Sequence, residues 1–203
     1  MRADLYERRF KRAFDVAAAG AGLAILSPVL LAVAAAMKLT DPGPVLFVQT
    51  RAGRGSRPFR IYKFRTMREG CKGPAITSGK DERVTALGRL LRRTKLDELP
   101  QLFNVLRGDM SLVGPRPEAP KYVELFKADY EVILTVRPGI TDYAAIKYRD
   151  EEAVLSAFAD PEEGYVKTVL PDKIALYRRY IADVGFATDM RIILATLAKI
   201  AGH

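Results

Sequence analysis

From Val16 to Met37 the chain has no charged residue, and Ser27-Pro28 stands in the middle of that run. No other feature limits the fold as tightly. As one straight helix the run is about 33 Å long, close to the ~30 Å hydrocarbon core of a bilayer. A buried core helix is disfavoured because nearly every face is apolar. A cleaved signal peptide fits the basic residues before the run, but its apolar region is usually only ~7–15 residues. A simple span has its own difficulty. Arg8, Arg9, Lys11 and Arg12 precede the run, and Lys38, Arg51, Arg54, Arg57, Arg60 and Lys63 follow it. Positively charged flanks stay cytoplasmic, which a single crossing cannot satisfy on both sides. Pro28 removes a helix hydrogen bond and bends the helix at its midpoint. Each half is then about 16–18 Å long, enough to enter one leaflet and leave again. The Ser27 hydroxyl is placed to satisfy a carbonyl that the bend frees. The residues favour a re-entrant hairpin broken at Ser27-Pro28; a span stays open.

The rest of the chain reads as one soluble unit. The boundary falls near residue 40, giving a membrane segment over 1–40 and a catalytic domain over 41–203. The expected class is α+β, mainly helical. Asp41-Pro42-Gly43-Pro44 breaks the first helix. Val45–Arg51 and Phe59–Met67 are β-rich and form a hairpin around Ala52-Gly53-Arg54-Gly55-Ser56-Arg57-Pro58. A polar loop from Arg68 to Lys80 follows. Val84, Leu87, Leu90 and Leu91 then recur at helical spacing. A second helix opens near Asp97 and runs to about Leu106, followed by a loop over 107–120. Further helices are expected at Tyr122–Tyr130, Glu151–Ala159 and Pro171–Asp183. The last helix carries Phe186, Met190, Ile193, Leu194 and Leu197 along one side. Such a stripe packs in a core or lies in a membrane interface.

The net charge is +9, which points to an anionic partner: nucleic acid, an acidic lipid surface or a phosphorylated substrate. No nucleic-acid-binding module is recognisable, so nucleic acid is not expected. Cys71 is the single cysteine and His203 the single histidine, which rules out a disulfide framework and a cysteine–histidine zinc site. No Walker loop, GxGxxG, HExxH or GxSxG occurs.

The chemistry concentrates around Asp97-Glu98. An adjacent carboxylate pair is a weak signal alone, and most such pairs are solvated helix starts. Pro100 is tolerated only in a first helical turn, so Asp97 is expected as N-cap, held ionised by the positive helix end. Neighbours on a helix point about 100° apart, which lets one carboxylate act as nucleophile and the other as metal ligand. A carboxylate approaches a diphosphate only if the phosphate charge is neutralised by a metal and by arginine or lysine. Arg92, Arg93, Arg116, Arg137, Lys63 and Arg65 are the candidates. Taken singly, each also fits a solubilising surface residue or a contact to acidic lipid heads.

Lys11-Arg12-Ala13-Phe14-Asp15 with the Ser-Pro break, the long block from Gly43 to Met67, the stretch from Thr85 to Glu118 and Arg137–Thr141 occur in that order. In these motifs the chain resembles the bacterial sugar transferases, the monotopic phosphoglycosyl transferases. The resemblance implies a re-entrant helix entering from the cytoplasmic face of the bacterial inner membrane. It implies Asp97 as nucleophile, Glu98 as a Mg²⁺ ligand and Arg92 as a phosphate contact. Lys63, Arg65 and Arg116 fall in motifs that line such sites. The implied partners are a UDP-sugar donor, undecaprenyl phosphate and membrane phospholipids; a homodimer stays open. The implied reaction passes through an aspartyl-phosphosugar and releases UMP.

Two departures stand out. Asp142-Tyr143-Ala144-Ala145 follows Thr141 where the family often has Gly-Trp-Ala-Gln, and Tyr177 stands where a late aspartate is common. This C-terminal third is expected to help select the sugar. The rival readings are a glycosyltransferase that releases UDP, and a basic scaffold on the membrane surface.

Overall fold

The computed structural model describes residues 10–71, 73 and 81–202. Arg8 and Arg9 of the basic flank, most of the polar loop ending at Lys80, and His203 lie outside these residues.

Helix α1, Lys11–Thr40, is one uninterrupted element. The expected break at Ser27-Pro28 is therefore not a helix end. Pro28 cannot donate to the carbonyl four residues back, Ala24, and the Ser27 hydroxyl donates to that same carbonyl at 2.8 Å. The orphaned acceptor is satisfied, so the helix continues. Its central turns are apolar and bare: Ile25 is 75% exposed and Leu31 70%. It is long and apolar enough to cross a membrane.

Both ends of α1 are tied to the same body. At the start, Lys11 pairs with buried Asp189, Arg12 donates to the carbonyls of Val105 (2.5 Å) and Leu106 (2.9 Å), and Asp15 accepts the Leu112 amide at 3.1 Å. Ala19, Leu23 and Leu26 pack with Leu102, Val105 and Met110, and beyond Pro28, Leu30, Val33 and Met37 pack with Phe64 and Leu91. At the exit, Arg65 donates to the carbonyls of Asp41 (2.6 Å) and Pro44 (2.8 Å).

Strands β1 (Leu46–Ala52) and β2 (Pro58–Phe64) form the expected antiparallel hairpin. The second strand stops at Phe64, short of Met67, which bridges to Val84 instead. Residues paired across the strands share a face. Phe47 therefore sits beside Lys63, and Gln49 beside Ile61.

Helix α2, Ala86–Thr94, starts later than the periodicity suggests because Thr85 caps it, accepting the Gly88 amide at 2.9 Å. Lys95 adopts a left-handed conformation (φ 59°), ends α2 and starts a 3₁₀ turn over Leu96–Glu98. Helix α3 is Gln101–Arg107. The sequence-based N-cap at Asp97 is thus corrected: Asp97 lies inside the 3₁₀ turn, and Pro100 precedes α3. Fully buried Asn104 joins α3 to β2, donating to the Arg60 carbonyl (2.6 Å) and accepting the Tyr62 amide (3.1 Å).

The stretch expected as a loop after α3 contains β3, Ser111–Val113, paired in parallel with β4, Gly139–Thr141. The next backbones approach so closely that a Cβ on Gly139 would lie 2.1 Å from the Gly114 nitrogen. Gly139→Ala is expected to destabilise the fold by about 1–3 kcal/mol, the usual range for overpacking, measured by urea denaturation.

The C-terminal body is helical. Phe126, in a non-helical conformation, divides the helix expected over 122–130 into α4 (Pro120–Leu125) and α5 (Lys127–Ile133). Then come α6 (Tyr143–Lys147), α7 (Glu151–Leu155, shorter than expected), α8 (Pro161–Gly164), a π turn, α9 (Leu170–Ala182) and α10 (Phe186–Ala201). The core here holds Tyr130, Leu155, Tyr165, Leu170 and Tyr177. On α10 Ile192 is buried, whereas Phe186, Leu194 and Leu197 remain exposed.

Candidate active site

The 3₁₀ turn presents Asp97 and Glu98 in different directions, as its three residues per turn require. Glu98 faces the hairpin and the segment after β3. Lys63 donates to its Oε1 at 2.8 Å, and Arg116 grips both carboxylate oxygens, with the contact to Oε2 at 3.1 Å. Burial works against the charge of Glu98, but Arg116 and Lys63 outweigh it and hold the carboxyl well below its usual range. Burial lowers the proton affinity of Lys63 in turn, against the pull of Glu98.

Asp97 has the opposite environment. It is 8% exposed, and its Oδ1 has no hydrogen-bond partner among the described residues. Burial first, and the neighbouring charge of Glu98 second, push its pKa up to about 6, against Lys63, Lys95 and Arg116. The expectation that a helix end keeps it ionised is therefore corrected; its neighbours govern it. Two adjacent carboxylates with divided proton affinities are a common arrangement for splitting chemical roles.

An open cavity holds both carboxylates together with Lys63, Arg116 and Arg92. Arg92 on α2 lines the wall, donating to the Thr66 hydroxyl at 2.9 Å and pairing with Glu152 of α7. Arg93 also lines the cavity. Arg65 lines it too, but its guanidinium serves the turn at the end of α1. Arg137 donates to the Gly108 carbonyl at 3.0 Å and is not brought to the carboxylates. The structure thus places Asp97, Glu98, Lys63, Arg116, Arg92, Arg93 and Arg65 around one cavity, with Lys63 and Arg116 in contact with Glu98, and leaves Arg137 outside that lining. Ser27 and Pro28 lie in α1, as described.

Sequence reading missed residues around the site. Glu118 accepts from the Tyr165 hydroxyl at 2.5 Å and pairs with Arg51 at 3.4 Å. Asp142 accepts the Arg116 backbone amide at 2.9 Å. Glu118 carried no signal beyond its place in the Gly-Pro-Arg-Pro-Glu stretch. Asp142 was visible as a departure, without a role. Of its neighbours, Tyr143 packs with Val113, Tyr180 and Ile192, Ala144 is in the core, and Ala145 lines the cavity.

Glu98 gripped by two cations, beside a buried Asp97 with an unpartnered oxygen, makes a charged site in a chain that also carries one long, exposed apolar helix. The chain belongs to the bacterial sugar transferase family, whose model matches residues 6–203. It is 41% identical over 197 residues to a UDP-glucose:undecaprenyl-phosphate glucose-1-phosphate transferase of Caulobacter vibrioides, covering 94% of this chain and 69% of that one. It is 45% identical over 141 residues to a UDP-N-acetylgalactosamine-undecaprenyl-phosphate N-acetylgalactosaminephosphotransferase of Aeromonas hydrophila, covering 67% of this chain and 33% of that one. It is 40% identical over 199 residues to an exopolysaccharide production protein of Rhizobium leguminosarum, covering 93% of this chain and 94% of that one. The chain spans only about a third of the Aeromonas protein.

Proposed function

We propose that the chain transfers a sugar-1-phosphate from a UDP-sugar to undecaprenyl phosphate, releasing UMP and forming a polyprenyl-diphospho-sugar. The observation that carries this reading is Asp97: a buried carboxylate with an unpartnered oxygen, beside a second carboxylate already neutralised by Lys63 and Arg116. Asp97 attacks the sugar-bearing phosphorus of the donor. The new bond is a carboxyl–phosphate bond, and the broken one is the diphosphate P–O bond, whose electron pair leaves with UMP. A phosphate oxygen of the acceptor then attacks the same phosphorus and returns Asp97 as a free carboxylate. Lys63, Arg116 and Arg92 hold positive charge where the phosphates must sit.

Mg²⁺ fits this donor set. The ion commonly takes one or two protein carboxylates and fills its remaining positions with water and phosphate oxygens. Glu98, held ionised in the cavity, is the residue that would hold it, and when bound it would offset phosphoryl charge.

The membrane placement is read as monotopic, on the cytoplasmic face. Both ends of α1 are fastened to one body and both halves pack against it, while Ile25 and Leu31 in its middle are bare. This favours a bent helix dipping into one leaflet over a crossing. Exposed Phe186, Leu194 and Leu197 on α10 suit the same interface. Phe47 beside Lys63 and Leu197 of α10 line the cavity that holds Asp97, an apolar wall suited to the isoprenoid end of the acceptor.

The relatives' names differ in the sugar, so the donor is tested as a panel. Detergent-solubilised protein with Mg²⁺, undecaprenyl phosphate and a series of UDP-sugars is expected to release UMP from one or two donors. Release of UDP would replace this reading with ordinary glycosyl transfer.

A further inference from the structure

We infer that Glu151 is a specificity-determining residue for the donor: its carboxylate, held in the cavity wall by buried Lys173, accepts hydrogen bonds from hydroxyls of the transferred sugar. The identity of that substrate rests on the reaction proposed above.

Local structure places Glu151. Asp150 caps α7, its side chain accepting the Ala153 amide at 3.1 Å. Glu151 and Glu152 therefore stand side by side in the first turn and point about 100° apart. Glu152 pairs with Arg92 of α2. Glu151 turns to α9, where the Lys173 ammonium pairs with its Oε2. Lys173 is 3% exposed, and its ammonium lies 4.9 Å from the centre of the Tyr165 ring and 5.9 Å from that of Tyr148. Both rings are themselves fixed. The Tyr165 hydroxyl donates to Glu118 at 2.5 Å, and the Tyr148 hydroxyl donates to Asp172 at 2.7 Å. Tyr165 also opens the π turn Tyr165–Val169, a local widening of a helix that is frequent at functional sites.

Burying an ammonium against two phenols gains little for packing alone, since an apolar residue of similar volume commonly serves as well or better. Here the lysine holds one carboxylate in place. The Glu151 side chain keeps 32% exposure and lines the cavity that contains Asp97, so the held group is open to a ligand. Contacts on either side fix where that ligand group lies. On one side Glu152 meets Arg92; on the other Tyr165 meets Glu118, two residues beyond Arg116. The wall therefore runs between the two arginines proposed to hold phosphate, and a group attached to that phosphate lies along it. Charge selects the kind of group. A carboxylate paired with an ammonium only accepts hydrogen bonds and repels a diphosphate, so it suits neutral hydroxyls. A sugar ring presents several, and their orientation distinguishes one UDP-sugar from another. A carboxylate fixed from behind reads that difference.

The test measures donor selectivity. UMP release by the wild type and Glu151→Gln is followed with UDP-sugars that differ at single hydroxyls, and inhibition by added UMP is measured beside it. For the best donor, kcat/KM is expected to fall roughly 10–100-fold, as for loss of a hydrogen bond to a charged group. Poorer donors are expected to change less than about threefold, with UMP inhibition as in the wild type. Glutamine leaves the Lys173 ammonium without its countercharge, so Glu151→Gln combined with Lys173→Met is measured as well. That protein loses both charges together, which folds commonly tolerate, and the same loss of selectivity is expected. Equal losses across all donors, or UMP inhibition weakened in parallel, would overturn the assignment. If the wild type releases UMP from no donor, the proposed reaction itself fails. Glu151 is then judged by calorimetric binding of the same UDP-sugars against UDP. Discrimination among sugars in the wild type and its loss in Glu151→Gln are expected; unaltered discrimination, or none in the wild type, overturns the assignment.

Discussion

Asp97→Asn is expected to lower UMP release by roughly 10⁴-fold or more, because it removes the attacking atom rather than a supporting contact. The loss should not reflect unfolding. The Asp97 carboxyl is pushed up to about 6, so its charged form is disfavoured in the folded protein. That penalty is absent below the ordinary carboxylate pKa, develops as pH rises toward 6, and is complete above it. Asparagine removes the penalty, so the variant should be as stable as the wild type, or more so, at pH 7–8. The same sign fixes the pH profile. The attacking form is the carboxylate, so the donor half-reaction in the wild type should rise with pH up to about 6 and then level off. A thermal melt and a pH–rate profile of the donor step check both statements.

Glu98→Gln gives the second large effect, and it differs in kind. Lys63 and Arg116 lose the charge that pairs them, and removing one partner of a buried pair commonly costs 3–5 kcal/mol. The Arg116 side chain is 30% exposed, so water offsets part of this and about 3 kcal/mol is expected by urea denaturation. UMP release should fall on the order of 10²–10³-fold, since the groups that neutralise phosphate lose their alignment. The residual activity carries a further signature. The charge of Glu98 is one of the forces that raise Asp97. Without it, the pH midpoint of the donor step should move below 6.

Much of this site was legible from residue types that have few alternatives. An uncharged run with a central Ser-Pro has few uses, and the serine hydroxyl does take the carbonyl that the proline abandons. The hairpin followed from two β-rich runs joined by a glycine-bearing segment. Asp97-Glu98 stood out because Pro100 restricts the local backbone. What was hidden depended on tertiary pairing. The strands Ser111–Val113 and Gly139–Thr141 have three residues each and adjoin proline and glycine, so each looks like a loop until the other is beside it. The left-handed Lys95 is equally silent, since lysine has no preference for that conformation, yet it turns a helix start into a 3₁₀ turn. Arginine identity does not reveal its partner either: Arg116 reaches the carboxylates, while Arg65 braces the end of α1. Asp142 was noticeable only as a departure, and nothing in one dimension says that it holds the backbone of Arg116.

The most direct test of the central claim is the intact mass of the protein after mixing with its UDP-sugar and Mg²⁺ in the absence of acceptor. The expected result is a covalent increment of one sugar phosphate, located to the peptide containing Asp97, missing in Asp97→Asn and discharged on addition of undecaprenyl phosphate. UDP formation from a donor that turns over, with the protein mass unchanged throughout, would contradict it.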